Sequence, residues 1–279
     1  MANGVFAGID AGSTTTKVAL TDGRERLASG IAPTGANSRR SAEALLARAL
    51  EHAGRARSDI RCLVSTGYGR RLIGFADSTV SEITADAWGA AILSNGSAAI
   101  RTVIDIGGQD TKVIGLDDRG ILRDFIMNDK CAAGTGRFLE VMARAMEADL
   151  DRLGAMSLQA KRVLPVNSLC TVFAESEVVS LLAQGEAACD IVAGIHASIA
   201  RRLAAMARKV GVREAVFFCG GPALNAGLRQ ALETELGVKL VVAPEPQLVA
   251  AAGAAAIAAA QADAADAELS RRSGQDQIT

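Results

Sequence analysis

Two stretches, "IDAGSTTTKV" at Ile9–Val18 and "IDIGGQDTKV" at Ile104–Val113, carry nearly the same acidic, glycine-rich turn. Setting Asp10 over Asp105 gives an offset of 95 residues (10 to 105), and the agreement continues without a gap into the sequence that follows. An ungapped match of this length indicates an internal duplication. The chain has 279 residues, which leaves room for two domains of ordinary size.

The composition is that of a globular protein with a substantial core, since 49% of the residues are hydrophobic and 22% are charged. A net charge of −1 gives no reason to expect binding to nucleic acid or to an anionic membrane. The longest small-apolar run, Leu248–Ala260, is expected to be too short and alanine-rich to span a bilayer. No signal peptide is evident, and five cysteines, an odd number, suggest reduced thiols or metal ligands. We therefore expect a cytoplasmic protein.

Each copy of the repeat predicts a three-stranded meander, which is followed by alternating helices and strands. This pattern favours an α/β fold with two mixed sheets flanked by helices. The predicted domains are 1–98 and 99–265, followed by a polar tail, 266–279, that we expect to be disordered. The meander strands are expected at 5–9, 16–20, 27–32, 101–104, 112–116 and 121–127, with further strands at 62–65, 215–219 and 238–242. Helices are expected at 41–52, 83–93, 136–146, 174–184, 190–210 and 225–236, and from 248 onward.

The two related turns have the chemistry of a metal–phosphate site. Glycine allows backbone N–H groups to approach phosphate oxygens, and a carboxylate at a strand end can hold hydrated Mg²⁺. One such turn alone is more often an ordinary polar hairpin, whereas two could hold a polyphosphate from both sides. A third turn, "CGGPALN" at Cys219–Asn225, has the strand–Gly-Gly–helix form that can approach a nucleotide. Neither a Walker A motif nor a Rossmann fingerprint is present.

These three turns together resemble the superfamily of acetate and sugar kinases, heat-shock chaperone ATPases and actin, which is built from duplicated ribonuclease-H-like domains. The resemblance implies Mg-ATP in a cleft between the domains, with Asp10 and Asp105 holding the hydrated metal. Gln109 is expected to orient an attacking water, because a carboxamide can orient a water but hardly deprotonates one. The residues expected to surround the nucleotide are Gly12, Ser13, Thr14, Thr15, Thr16, Lys17, Gly107, Gly108, Gly220 and Gly221.

Two cysteines stand before helices, Cys131 in "MNDKCAAGTGRFLEVMAR" and Cys170 in "NSLCTVFAESEVVSLLAQG". A thiol at a helix N-terminus has a lowered pKa, and the free N–H groups can hydrogen-bond an anionic cluster. Any single cysteine is more often an ordinary buried residue, which is the interpretation for Cys62, Cys189 and Cys219. Two thiolates are half of what a [4Fe–4S] cluster needs, so a two-fold dimer would complete the set. A shared four-cysteine zinc site satisfies the same count.

Four motifs, "STGYGR", "DIGGQDTKVI", "NDKCAAGTGRFLEVMA" and "CTVFAESEV", resemble the activators of (R)-2-hydroxyacyl-CoA dehydratases. These activators belong with the ATPase subunits of benzoyl-CoA reductase to the BadF/BadG/BcrA/BcrD type of ATPase, and the resemblance runs from Gly8 to about Ala256. It implies one [4Fe–4S] cluster that bridges a homodimer through Cys131 and Cys170 of each chain. It also implies ATP contacts from Ser13 to Lys17 and a nucleotide contact from Gln247. Leu224 stands where the family often has glutamine.

The function implied by this resemblance is ATP-driven transfer of single low-potential electrons to a 2-hydroxyacyl-CoA dehydratase, with ferredoxin or flavodoxin as the donor. An ATPase subunit of a benzoyl-CoA reductase is the nearest alternative. A small-molecule kinase with structural cysteines is a third interpretation of the same fold. An actin-like filament or chaperone module is disfavoured because the chain is too short for the extra parts. His52 and His196, the two histidines, lie in no recognised motif.

Overall fold

A computed structural model describes residues 4–94, 99–166 and 170–275. The chain divides into two compact units, the first containing the residues up to Ile92 together with those from Leu248 onward, and the second containing Leu93–Gln247. Each unit has a five-stranded mixed sheet. The strands of the first are β1 (Val5–Ala11), β2 (Thr15–Thr21), β3 (Arg26–Pro33), β4 (Ile60–Thr66) and β5 (Ser78–Thr79). Those of the second are β6 (Thr102–Ile106), β7 (Thr111–Leu116), β8 (Leu122–Asn128), β9 (Val216–Gly220) and β10 (Leu240–Val241).

The two sheets have the same strand order, which confirms the duplication. The order is β3-β2-β1-β4-β5 in the first unit and β8-β7-β6-β9-β10 in the second. In both units the first two strands of the meander are antiparallel, and the next strand pairs in parallel with the first. Asp10 is the register partner of Lys17, and Asp105 is the register partner of Lys112. The repeated turn therefore occupies the same place in both sheets.

The helices of the first unit are α1 (Ser38–His52), α2 (Glu82–Leu93) and α8 (Val249–Gln275). Asn37 caps the start of α1, where its side-chain oxygen accepts a hydrogen bond from the backbone N–H of Arg40. The buried face of α1, which includes Leu45, Leu46 and Leu50, packs with β1–β3 into one core. The short strand β5 was not predicted from the sequence, and its two residues are too few to show periodicity.

The last helix differs from expectation, because α8 belongs to the first unit and not to the second. Its small residues let it lie against β1 and α2: a Cβ at Gly8 would overlap the backbone of Ala251, and one at Gly253 would overlap the carbonyl of Ala85. The expected boundary at 98/99 lies at 92/93, and 266–275 of the expected disordered tail are helical. The rest of that tail, 276–279, lies outside the described residues.

By length and composition alone, one described helix, Pro246–Glu268, could cross a membrane. The sequence predicted that this region was too short, but the helix continues well past Ala260. A helix packed in a protein core meets the same criterion, and Ala251, Ala254 and Ala258 of α8 are buried.

The second unit contains five helices within the described residues: α3 (Gly136–Ala145), α4 (Leu153–Leu158), α5 (Thr171–Ala183), α6 (Ala188–Val210) and α7 (Ala226–Leu236). The long helix α6 supplies much of the core, where Ile191, Ile195 and Leu203 pack with Ile104 and Phe218 of the sheet. Of these helices only α4 was not predicted, since one and a half turns carry too little apolar periodicity to be recognised.

Candidate functional site

The turn between β1 and β2 holds a buried carboxylate with one oxygen to spare. The ammonium group of Lys17 donates to Asp10 Oδ2 at 2.9 Å, and the Asp10 residue is only 5% exposed. Asp10 Oδ1 is buried and has no hydrogen-bond partner among the described residues, and neither has the hydroxyl of Thr66, the register partner of Asp10 on β4. A buried oxygen left unpaired in this way is costly unless a ligand completes it. Asp10 Oδ1 therefore fits a water ligand of Mg²⁺ or the metal itself.

The backbone comes unusually close to this carboxylate at Gly67, in the "STGYGR" motif. Gly67 has a φ of +92°, and a Cβ there would overlap Asp10 Oδ1. Only glycine adopts this conformation without strain and leaves the carboxylate room. Arg70 of the same motif donates from Nη1 to the carbonyl of Gly67 at 3.0 Å, while Tyr68 is largely exposed.

The residues after Asp10 divide into two groups. Ser13, Thr14 and Thr15 are partly exposed, so their hydroxyl groups can meet a phosphate from solvent. Thr16 is fully buried, and its hydroxyl lies 3.0 Å from that of Thr34, which in turn donates to the carbonyl of Gly12 at 2.8 Å. Thr16 therefore stabilises the conformation of the turn through its buried contact with Thr34.

The turn between β6 and β7 repeats this arrangement with one more acid. The ammonium group of Lys112 donates to Asp105 Oδ2 and to Asp110 Oδ1, each at 3.0 Å, and its side chain is 1% exposed. The other oxygen of Asp105 accepts from the thiol of Cys219 at 3.7 Å. Gln109 is exposed at the tip of the turn and makes no hydrogen bond within the described residues. Its carboxamide is thus available to orient a water, whereas Asp110 is committed to Lys112.

The Gly-Gly turn lies beside this second loop, because β9 pairs in parallel with β6. Ile106 is the register partner of Gly220, which has a φ of +87° and would clash with the Ile106 carbonyl if it carried a side chain. A Cβ on Gly221 would lie 3.5 Å from Gln247 Nε2. The second unit thus brings Asp105, Gly220, Gly221 and Gln247 to one edge of its sheet. Leu224, at the end of the turn, is 60% exposed.

A buried histidine supports the residue that follows this turn. Asn225 caps α7 with its side-chain oxygen, which accepts from the N–H of Leu228 at 2.9 Å. Its amide nitrogen, 3.1 Å from His196 Nε2, is therefore the donor, and His196 Nδ1 donates to the hydroxyl of Ser157 at 2.9 Å. Burial lowers the pKa of His196 to about 4, so the ring is neutral near pH 7. Its position in a helix among apolar neighbours gave no sign of this contact.

The backbone at the start of α3 is hydrogen-bonded to the second loop. The N–H groups of Gly136 and Arg137 donate to the carbonyls of Gly107 and Gly108, each at 2.9 Å. The hydroxyl of Thr111, on β7, donates to the carbonyl of Gly134 at 3.1 Å. Thr111 and the buried Lys112 were not singled out from the sequence, although each is the repeat counterpart of a residue that was, Thr16 and Lys17.

Cys131 stands at the beginning of the segment that these bonds fix. The side-chain amide of Asn128 donates to the carbonyl of Cys131 at 2.8 Å, and the segment that follows, which we call the Cys131 turn (Cys131–Thr135), leads into α3. Cys131 is half-buried. As the sequence predicted, a small-residue turn, here with a left-handed Gly134, separates Cys131 from α3. The helix dipole therefore acts on Cys131 less directly than on a residue at the N-cap itself.

Cys170 is exposed and is itself the N-cap residue of α5. Its side chain makes no capping hydrogen bond to the N–H groups of the first turn of the helix. All five cysteines lie in described parts of the chain, and none forms a disulfide. Cys62 and Cys219 are buried in the two sheets, and burial raises the pKa of the Cys62 thiol, which makes Cys62 a poor ligand.

The donor set of one chain thus fits half of a four-thiolate cluster. Cys131, half-buried before the turn that leads into α3, and Cys170, exposed at the N-cap of α5, are the thiols of the two sequence motifs, and thiolate sulfur is the ligand that iron–sulfur clusters use. Two chains would be needed to supply four sulfurs.

The comparisons with known proteins agree with this geometry. The BadF/BadG/BcrA/BcrD ATPase family model matches residues 7–258. The activator of lactoyl-CoA dehydratase from Anaerotignum propionicum is 45% identical over 249 residues, which cover 89% of this chain and 95% of that protein. A benzoyl-CoA reductase subunit from Thauera aromatica is 36% identical over 212 residues, 74% of each chain.

A solved structure, the activator of 2-hydroxyisocaproyl-CoA dehydratase from Clostridium difficile with bound ADPNP, superposes with a TM-score of 0.89. The two chains are 41% identical, and the match covers 95% of this chain and 97% of that one. The duplicated fold of the sugar kinases, predicted from the sequence, is confirmed. The chain belongs to the BadF/BadG/BcrA/BcrD ATPase family.

Proposed function

We propose that this protein is an ATP-dependent activator that delivers single low-potential electrons to a 2-hydroxyacyl-CoA dehydratase. The ATPase activity follows from the family, and relatives that carry the activator name cover nearly the whole chain. A benzoyl-CoA reductase component is the second candidate, supported by a relative with lower identity and coverage. A small-molecule kinase has the support of the fold alone.

In this proposal both loops bind Mg-ATP. Asp10 holds the hydrated metal through its unpaired oxygen, and Lys17 donates to the other oxygen of that carboxylate. The partly exposed Ser13, Thr14 and Thr15, with Gly12, Gly107 and Gly108, bind phosphate oxygens. Asp105 assists at the second loop, and Gln109 orients the attacking water because its carboxamide is exposed and unengaged. The nucleoside contacts Gly220, Gly221 and Gln247.

The proposed redox centre is one [4Fe–4S] cluster, which would supply one-electron chemistry and be held by Cys131 and Cys170 of two chains in a homodimer. Ferredoxin or flavodoxin would be the electron donor, and the setting would be the cytoplasm. In each chain the exposed thiol of Cys170 and the hydrogen-bonded Cys131 turn determine where the ligand sulfurs stand.

One observation supports a coupling between ATP hydrolysis and electron transfer in this proposal. The carbonyls of Gly107 and Gly108 accept hydrogen bonds from the N–H groups of Gly136 and Arg137 at the start of α3, which directly follows the Cys131 turn. A change in the second loop on nucleotide binding therefore reaches the thiol through main-chain bonds, with no mobile side chain between.

The first experiment is iron and acid-labile sulfide per chain after strictly anaerobic purification, with the oligomeric mass of the same sample. We expect about two iron atoms per chain in a dimer. Cys131→Ala and Cys170→Ala should each lose the iron, whereas Cys189→Ala, at a half-buried cysteine outside both motifs, should keep it. A metal-free protein whose ATPase activity is unchanged in all three variants would refute the redox proposal. Zinc in place of iron would support a shared four-cysteine zinc site.

A further inference from the structure

The second unit contains a cavity of about 520 Å³ between β8 and α6. Its charged lining residues are all basic, namely Arg201, Arg202 and Lys209 of α6, and polar atoms come from Asn128 and Ser198. Such a cavity in a chain whose net charge is −1 is a local feature and does not reflect a generally basic surface.

None of these three cations has an ion pair within the described parts of the chain. The contrast on the same helix is Arg208, which pairs with Glu235 at 3.4 Å. Three lysine and arginine side chains with no acid among the other lining residues create a positive potential that attracts anions. The cavity therefore has a positive charge that an anionic partner could neutralise.

The cavity adjoins the Cys131 turn. Asn128, in its wall, is the residue whose amide holds the carbonyl of Cys131. The stem of Arg202 passes the same turn, since a Cβ on Gly134 would lie 3.4 Å from Arg202 Cδ. An anionic partner seated here would be next to one of the two proposed cluster ligands.

We propose that this basic cavity, defined by Arg201, Arg202 and Lys209, docks an acidic protein that donates single electrons. This inference rests on the proposed redox function. The cations are spread over nine residues of helix, 201–209, a rise of roughly 12 Å, which is longer than one phosphate group and fits several carboxylates on a protein surface. An electron donor must bind and leave at every turnover, and charge-steered contacts of modest area suit this requirement.

The apolar surface near the other cysteine has a different character. Val172, Phe173 and Val179 of α5 are at least half exposed, and they follow Cys170. Exposed apolar side chains suit a partner that stays bound longer, so the donor is assigned to the basic cavity.

The test measures the second-order rate at which a reduced acidic ferredoxin reduces the anaerobically purified dimer, followed by visible absorbance at several ionic strengths. Arg201→Glu combined with Lys209→Glu should lower this rate at least about tenfold at low salt and flatten its salt dependence. Reduction by photoreduced deazaflavin, a small molecule without a docking surface, and the ATPase rate should not change. Arg208→Glu is the matched control, and its rate should stay near that of the unmodified protein.

Several results would overturn the inference. Equal ferredoxin rates for the double variant and the unmodified protein would do so directly. A monomeric double variant would assign the face to a second copy of the chain, and phosphate binding lost with the ferredoxin rate unchanged would assign it to a small anion. Failure of the proposed function itself is distinguishable, because the unmodified protein would then show no centre that deazaflavin reduces.

Discussion

The two copies of the acidic turn have the same strands, the same register and different surroundings. In the first, Lys17 donates to one oxygen of Asp10, and the other oxygen of Asp10 has no partner among the described residues. In the second, Lys112 is held between Asp105 and Asp110, and both oxygens of Asp105 are occupied. The first loop therefore keeps a carboxylate oxygen that fits a metal, while the carboxylates of the second are hydrogen-bonded within the protein and its backbone is bonded to the start of α3. The duplication kept the Asp–Lys pair and changed what each loop contacts.

The largest expected difference concerns the two lysines. Lys112→Met should lower the free energy of unfolding by about 3–5 kcal/mol, because it leaves two adjacent carboxylates without their shared cation. Lys17→Met, the matched variant at the repeat position, should cost only about 2 kcal/mol, since one ion pair is lost. Urea unfolding of the nucleotide-free protein at pH 7 measures both. Equal losses would mean that the second acid adds nothing.

Acid should destabilise the second unit more than the first. The folded-state pKa of His196, about 4, lies below its unfolded value, so the unfolded chain binds more protons and stability falls as the pH drops from about 6.5 toward 4. From pH 7 to pH 5 the second unit should lose about 2 kcal/mol. Hydrogen exchange at the two pH values measures this loss in each unit.

His196→Gln should remove most of this pH dependence, because an amide can make both of the ring's hydrogen bonds without titrating. His52→Gln is the control in the first unit, where the histidine is exposed at the end of α1. If the first unit weakens as much as the second at pH 5, His196 is not the cause.

The paired threonines give a smaller and more specific effect. Thr111→Val removes the bond to Gly134 at a cost of about 1 kcal/mol in stability. It should lower the number of electrons delivered per ATP while hydrolysis continues, because the Cys131 turn is loosened and the phosphate loop is kept. Thr16→Val, its repeat counterpart, should instead raise the KM for ATP and leave that ratio unchanged. Identical profiles for the two variants would show that the loops do not differ in their coupling.

The smallest effect belongs to the end of α8. The guanidinium of Arg61 binds both oxygens of Asp266, at 2.8 and 2.9 Å, but the Asp266 side chain is half exposed. Asp266→Asn should shift the urea midpoint only slightly, and the shift should vanish at high salt. A shift that persists in high salt would mean that this last part of the helix contributes packing as well as charge.

Much of this arrangement could be predicted because its signals are local. The repeat, the meanders and the Gly-Gly turn lie in short stretches whose alternation and glycine positions determine strands and turns. The second partner of Lys112 was visible in principle, since Asp110 stands two residues before it. The thiol contexts were predicted to match and do not, because α5 begins at Thr171, directly after Cys170, and not at residue 174 as predicted, whereas the predicted turn separates Cys131 from α3.

The place of α8 could not be read from its own residues. An alanine-rich helix can lie against almost any flat surface, and its partner here is chosen by Gly8 and by the Gly89–Gly253 approach, far apart along the chain. The contact between His196 and Asn225 is hidden for the same reason, since hydrogen bonds between distant residues leave no periodic signal.

Because α8 packs on the first sheet, the two units can complete their folding only in a certain order during synthesis. The second unit is one uninterrupted segment, Leu93–Gln247, and all of it has been translated before the first residue of α8. It can therefore fold on the ribosome while β1 and β4 still lack their covering helix. The unit that is begun first is finished last, so its uncovered sheet is the surface a nascent-chain chaperone would meet.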